Sequence, residues 1–404
     1  MPFTFWLRSP KLESRSTRAR HTRRRPPHKR LTAPKLLLEW LEARTVPTSV
    51  TVLGSRLHTA GGAPEFVLVS ETGTGEGNGT DFTVNVGPGV YHLAPADGSG
   101  VYGTFTVAGD GTISATTGAA TATGNTIDFD LSKLAAVTIF ASDLMTATGR
   151  QPGVNVFSFV GMSYSPYVDT IYFPAGKFEL NPFDAGGHYG GLTIGDDGTG
   201  SLVVTGTSGA AVATDNHTIH FDLSKLAAVT VFGSDIKTAN GQQQTLNLPN
   251  FVSLFGEAYA TDTIYFPACT VKVTPFDRPG VYGSFTVADN GSGSLVVTGA
   301  SGAAVATDNH TIHFDLSKLA AVTIFGSELI TAPAYLPIGI QGFLSLFHAD
   351  PIDTVYFPAC TVNVTNFDAS VQYGTFTVAD IGSGVLAVTA TTGKAVATDP
   401  HTIH

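Results

Sequence analysis

Residues 201–236 and 294–329 align without a gap and differ at four positions: Thr207/Ala300, Val231/Ile324, Asp235/Glu328 and Ile236/Leu329. Near-identity over that length means duplication, and a duplicated chain builds the same unit several times instead of one unrepeated core. Three landmarks set the period. Leu-Ser-Lys-Leu begins at Leu131, Leu223 and Leu316, and Tyr-Phe-Pro-Ala begins at Tyr172, Tyr265 and Tyr356. The pair Tyr-Gly recurs at Tyr102, Tyr189, Tyr282 and Tyr373. Steps between landmarks run from 87 to 93 residues, the size of a small domain.

Matching segments give the phase. Val50-Thr51-Val52-Leu53 corresponds to Val137-Thr138-Ile139-Phe140, Val229-Thr230-Val231-Phe232 and Val322-Thr323-Ile324-Phe325. His401-Thr402-Ile403-His404 corresponds to His217 through His220 and His310 through His313. One unit therefore runs from Val-Thr-Ile to His-Thr-Ile-His, and Phe-Asp-Leu-Ser-Lys-Leu-Ala is the junction. The organisation expected is a basic tail over residues 1–48 and four β repeats, 49–134, 135–227, 228–320 and 321–404.

Within the third repeat, strands are expected over 229–232, 251–255, 263–266, 270–274, 283–287, 294–298 and 304–313. Tyr265, Val271, Val273, Phe285 and Val287 alternate with polar neighbours, as a half-buried strand requires. Glycine-rich turns such as Asp289-Asn290-Gly291-Ser292-Gly293 separate the strands. Some seven short strands in one repeat predict an all-β chain, a tandem array of four antiparallel β-sandwich domains. The alternative is a β-propeller of 45-residue half-repeats, because Asp262-Thr263-Ile264-Tyr265-Phe266 and His310-Thr311-Ile312-His313-Phe314 share a pattern at about that spacing.

Charge divides sharply along the chain. Up to Arg44 there are 12 Lys and Arg against 3 Asp and Glu; the remainder holds 10 against 29. An acidic body repels nucleic acid and anionic membranes, so neither is an expected partner. No apolar run reaches the roughly 18 residues that cross a bilayer as a helix. The two cysteines, Cys269 and Cys360, each follow Tyr-Phe-Pro-Ala in successive repeats. Equivalent places in tandem domains stand too far apart for a disulfide, and both are read as small, partly buried strand residues.

The tail carries Arg23-Arg24-Arg25, Pro26-Pro27 and Lys29-Arg30 among Ser and Thr, a composition that cannot bury a core. After it comes Leu38-Glu39-Trp40-Leu41-Glu42-Ala43-Arg44-Thr45-Val46-Pro47. This segment resembles the L-E-x-L-E-x-R-x-x-P signature behind Arg-rich leaders of planctomycete exported proteins, with Ala43 where an acidic residue often stands. The resemblance covers about a dozen residues and implies export to an extracellular or cell-surface location. The hairpins at Phe173-Pro174-Ala175-Gly176-Lys177-Phe178 weakly resemble prealbumin-like and immunoglobulin-like domains of bacterial surface proteins, which implies adhesion or display by fold analogy.

Candidate chemistry is sparse. His-x-x-His recurs at His217/His220, His310/His313 and His401/His404. Residues three apart on a strand face opposite ways, however, and do not chelate one ion. Unit 1 has Asn125 and Asp128 there. Asp130, Asp222 and Asp315 end one unit, while Asp143, Asp235 and Glu328 follow the first strand of the next; calcium at the domain junctions would draw on these. Gly195-Asp196-Asp197-Gly198 and Asp289-Asn290-Gly291 read as hairpin turns. The run Gly73-Thr74-Gly75-Glu76-Gly77-Asn78-Gly79 reads as a loop, since it lacks a dinucleotide site's third glycine position and its helix. No nucleophile elbow, helical zinc motif or unique carboxylate pair is present. No catalytic, cofactor or metal residue is therefore assigned. The repeated tyrosines are read as core positions, with sugar stacking the alternative.

The function expected is that of a non-catalytic exported or cell-surface protein, a structural spacer or adhesive array. Its partners would be other surface proteins or glycans, and the chain itself a monomeric, extended array. The alternative is a secreted carbohydrate-binding protein using the most variable loops, 146–164, 238–258 and 331–349.

Overall fold

The computed structural model describes residues 47–404 except 60–65, 71–72, 78–80, 96–99, 157–159, 163–167, 183–186, 250, 255–259, 277–279, 330–337, 347–351, 367 and 383. Residues 1–46, which hold the tail but for Pro47 and Thr48 and the export-type segment up to Val46, lie outside the described residues, and the first strand begins at Thr48, one residue ahead of the expected repeat boundary.

The chain is all-β; among the described residues, only short 3-10 turns interrupt the strands. Unit 1 shows the plan, with β1 (Thr48–Leu53), β2 (Phe66–Ser70), β3 (Gly73–Gly77), β4 (Asp81–Val86), β5 (Gly89–Pro95), β6 (Gly103–Val107), β7 (Ile113–Gly118), β8 (Ala120–Thr123) and β9 (Thr126–Phe129). They form a four-stranded sheet in the order β4-β1-β9-β8 and a five-stranded sheet in the order β3-β2-β5-β6-β7. Units 2, 3 and 4 repeat both orders. β1 is antiparallel to β4 and parallel to β9, so the first and last strands of a unit lie side by side.

Alternation decides which face is inside. In the strand Ala135–Phe140, Ala135, Val137 and Ile139 are fully buried while their neighbours are half-exposed. Phe266, from the four-stranded sheet of unit 3, meets Phe285 of its five-stranded sheet edge to face at 5.4 Å, and Phe357 meets Phe376 likewise at 5.2 Å in unit 4. Such ring pairs close the interior of a sandwich, not the radial wall of a propeller blade. A register shift recurs where β6 meets β7, at Thr106/Val107, and at Thr193/Ile194, Thr286/Val287 and Thr377/Val378 in the other units. Bulges kept in every copy give all four sheets the same local twist.

Nine strands stand where the sequence suggested seven. The segment 304–313 is a hairpin, Ala304–Asp308 and Thr311–Phe314, because the Asp308 carboxylate accepts the His310 N–H at 2.7 Å and turns the chain. The strand Leu246–Leu248, short and next to a glutamine run, carries too weak a pattern to be read.

Between units the chain makes one 3-10 turn. Asp222 opens it by accepting both the backbone N–H of Ser224 at 3.1 Å and its hydroxyl at 2.6 Å; Asp130 and Asp315 do the same with Ser132 and Ser317. That is N-capping, with a short side-chain acceptor taking the first orphan donors.

Candidate functional site: the unit junctions

The residues that sequence reasoning set aside for calcium are spent on protein contacts. Oδ2 of Asp143 lies 2.9 Å from Nδ1 of His220 and accepts the Phe221 N–H at 3.0 Å, and Asp235 repeats this with His313 and Phe314. The imidazoles of His220 and His313 stack on Phe140 and Phe232 at 4.2 Å. Unit 1 makes the pair with the acid on the opposite side, Arg56 to Asp128 at 3.2 Å. His217 and His310 sit in turns, not on strands, and offer backbone N–H groups to Asp215 and Asp308. The side chain of Glu328 lies outside the described residues. Among the described residues, no three His, Cys, Asp or Glu side chains converge as a metal site would need.

The turn carboxylates are likewise engaged locally. Asp289 accepts N–H bonds from Gly291 and Gly293, and Asp196 from Gly198 and Gly200. Gly291 and Gly293 sit at φ +86° and +85°, where a side chain would be strained.

The unforeseen feature is a carboxylate buried at each unit boundary. Asp169, Asp262 and Asp353 sit at one strand position, paired with Ile139, Val231 and Ile324. They are only 2–3% exposed. Each reaches back to the preceding unit. Thr59 donates its hydroxyl to Asp169 at 2.6 Å; Thr148 gives Asp262 its hydroxyl at 2.6 Å and its N–H at 3.0 Å; Asn240 gives Asp353 its N–H at 3.0 Å. The same carboxylates cap their own strand through the N–H groups of Thr170, Thr263 and Thr354. A buried charge demands such partners, so the bonds are specific rather than incidental.

Around this point the backbones also join. Ala147 donates to Thr263 O at 3.1 Å, and Ala239 to Thr354 O at 3.0 Å. Between units 3 and 4, Gln244 is fully buried; its Nε2 donates to Tyr282 Oη and to Tyr356 O, while its Oε1 accepts the Tyr356 N–H. Phe343 of unit 4 meets Tyr282 of unit 3 edge to face at 6.2 Å. Thr146–Arg150 and the start of 238–258, read as ligand loops, are thus the parts that grip the next unit. The loop segment 331–337 lies outside the described residues.

The Phe-Pro-Ala hairpins complete the contact by pressing on the preceding unit. Gly187 and Gly280 approach the next hairpin so closely that an added Cβ would stand 3.0 Å from the Cβ of Cys269 and of Cys360. Gly100 forms a bridge with Gly176. Tyr102, Tyr189 and Tyr282 are buried at these contacts, which leaves them no open face on which a sugar could stack. Burial raises the Tyr189 and Tyr282 phenols well above their ordinary pKa. Among the described residues Tyr189 Oη has no hydrogen-bond partner, since the place Gln244 takes in unit 3 is Pro152 in unit 2. Cys269 and Cys360 are free thiols, half-buried, and desolvation pushes both up to about 12. Tyr373, in unit 4, is half-buried and borders a cavity of about 150 Å³ with Ile338, Val364, Ile403 and Lys394.

No protein-family model matches the chain, and no curated protein matches it significantly. Among the described residues, no helix is long and apolar enough to cross a membrane.

Proposed function

We propose that this chain is a non-catalytic, exported spacer: four β-sandwich units held in fixed order by latched junctions, working at or outside the cell surface as a structural or adhesive array. The observation that carries the reading is the repetition of one buried Asp latch at all three boundaries. Tandem domains joined by loose linkers swing independently, whereas a desolvated carboxylate with donors from both sides fixes one orientation. A stiff series of modules transmits force and holds weak binding surfaces at set spacings, which raises their effective concentration toward a multivalent partner. Export rests on the resemblance of residues 38–47 to the planctomycete signature.

The carbohydrate-binding alternative draws less support, because the turns 146–150 and 238–245 already meet the neighbouring unit. Small-angle X-ray scattering on residues 47–404 tests the spacer. A compact particle of this length has a radius of gyration of about 20 Å, and four sandwiches in line about 40 Å. A value near the larger figure that disperses when Asp169, Asp262 and Asp353 are all changed to Ala supports a stiff spacer; a value near the smaller one overturns it.

A further inference from the structure

The first and last strands of each unit run side by side in the same direction. In unit 2, Ala135–Phe140 pairs in parallel with Thr218–Phe221, Thr138 beside Thr218 and Ile139 beside Ile219. The other units set Val52 beside Ile127, Val231 beside Ile312 and Ile324 beside Ile403. One further backbone bond extends each pair: Thr138 N–H donates to His217 O at 2.8 Å, as Thr51 does to Asn125, Thr230 to His310 and Thr323 to His401. In the order β4-β1-β9-β8 both strands lie inside their sheet, each hydrogen-bonded on two sides.

Side chains tie the same two strands a second time. His220, on the last strand of unit 2, stacks on Phe140 at the end of the first. Its Nδ1 lies 2.9 Å from Oδ2 of Asp143, in the 3-10 turn that directly follows the first strand, and that oxygen also accepts the Phe221 N–H. Unit 3 repeats the tie with Phe232, Asp235 and His313, and unit 4 stacks Phe325 on His404 at 4.4 Å. Unit 1 joins the same two places through Arg56 and Asp128. The side chains change and the connection is kept, so the connection itself is what the repeats have in common.

Tension along a series of such units enters each one at the start of its first strand and leaves at the end of its last. In a parallel pair those points stand at opposite ends, so pulling slides one strand along the other and loads every bond between them together. In an antiparallel pair they would share an end, and the bonds would open one after another. Only a short turn around Leu223–Lys225 separates the last strand of unit 2 from the first of unit 3, so no loose linker takes up the load.

We propose that each unit is a load-bearing module, whose first strand, last strand and side-chain ties form a clamp against pulling along the chain. The clamp is built within one unit, so the inference stands whether or not the latches between units make the array a spacer.

Single-molecule force spectroscopy on the full chain, held by its two ends, tests the proposal. Each unit that gives way should release about 300 Å, the length of about 90 residues at about 3.5 Å each. Forced unfolding reads the unfolding barrier, not the equilibrium stability, so two altered chains separate a clamp from ordinary packing. Asp143→Ala with Asp235→Ala cuts the ties of units 2 and 3, and two of the four events should move to lower force. Phe178→Leu with Phe285→Leu thins the cores of the same units on the opposite sheet; it should lower the melting temperature at least as far and leave all four forces in place. Should circular dichroism show the alanine chain unfolded, Asp143→Asn with Asp235→Asn replaces it. That chain keeps an acceptor for the Phe221 and Phe314 N–H groups, and should show the same shift in smaller measure. Two results overturn the proposal: rupture forces that fall in proportion to melting temperature in both kinds of chain, or clamp substitutions that leave all four forces unchanged.

Discussion

The hydroxyl of Thr148 donates to Oδ2 of Asp262 at 2.6 Å, across the boundary between units 2 and 3. The two residues are 114 positions apart in the chain, yet together they fix how one sandwich sits on the next. At the following boundary Asn240 takes the place of Thr148. Its N–H reaches Oδ1 of Asp353, while its amide turns to Ile352 O and leaves the buried Oδ2 of Asp353 without a partner among the described residues.

That difference predicts opposite outcomes for two substitutions. Asp262→Ala strands the donors of Thr148 in a buried place, and should lower unfolding stability by about 1–3 kcal/mol. Asn240→Thr supplies the missing hydroxyl to Asp353 and should raise it by about 1 kcal/mol, the net worth of one hydrogen bond. Urea denaturation with unchanged m-values checks both. Equal midpoints for Asn240→Thr and the unaltered chain would show that the orphan oxygen is satisfied by water.

Gln244 offers a second test at the same boundary. Its amide bonds Tyr282 and both backbone groups of Tyr356 from a fully buried position. Gln244→Leu keeps the bulk but removes every bond, so Tyr282 Oη and the Tyr356 backbone lose their partner. The expected loss is about 2–3 kcal/mol, with faster hydrogen exchange at Tyr356 than in the central strands of either unit. In unit 2, Pro152→Gln should stabilise the chain by about 1 kcal/mol by giving Tyr189 Oη a partner. Exchange rates at Tyr356 that do not change would mean the amide contributes nothing to the junction.

Much of the fold was legible because strand alternation and turn residues are local signals. Val271, Val273, Phe285 and Val287 read as buried strand positions from their spacing and are buried, but Tyr265, read the same way, stands half-exposed, because its neighbours Ile264 and Phe266 take the inner face. The repeat phase followed from the matching Val-Thr and His-Thr-Ile-His segments. The hairpin at Asp308 was missed because Ala-Val-Ala-Thr-Asp and Thr-Ile-His-Phe each suit a strand, and the turn rests on one Asp side chain bonding two residues ahead. The candidate site was hardly legible. Asp262 stands in Asp-Thr-Ile-Tyr-Phe as any strand-end polar residue would, and its partner comes from another unit. One signal was present: the acid recurs at Asp169, Asp262 and Asp353 but gives way to Phe82 in unit 1, which follows no other repeat. The exchange of Arg56 and Asp128 for Asp143 and His220 was a second signal, pointing to paired side chains instead of calcium.

Both cysteines should be inert in the folded state. Burial pushes Cys269 and Cys360 up to about 12, so at about pH 8 almost no thiolate is present. A disulfide reagent added to native protein should label neither within the time that fully labels both in urea. Rapid native labelling of either would show that the Phe-Pro-Ala hairpin lifts off its neighbour often enough to admit the reagent.

Acid should unfold the chain through its turn carboxylates. Hydrogen bonds from the following serine hydroxyls hold Asp130, Asp222 and Asp315 below the ordinary carboxylate value of 3.8. The backbone N–H groups of His217, His310 and His401 do the same for Asp215, Asp308 and Asp399. A carboxylate whose folded pKa is depressed adds stability that is complete above its unfolded value and is lost as pH falls through the folded one. These groups therefore predict a melting temperature that does not change with pH between about 5 and 8 on their account, and that drops below about pH 4. Replacing Asp130, Asp222 and Asp315 together with Asn keeps the cap oxygen but removes the titration, so the acid limb should become shallower while the value at about pH 7 falls slightly. An acid limb of unchanged slope would place the titrating carboxylates elsewhere in the units.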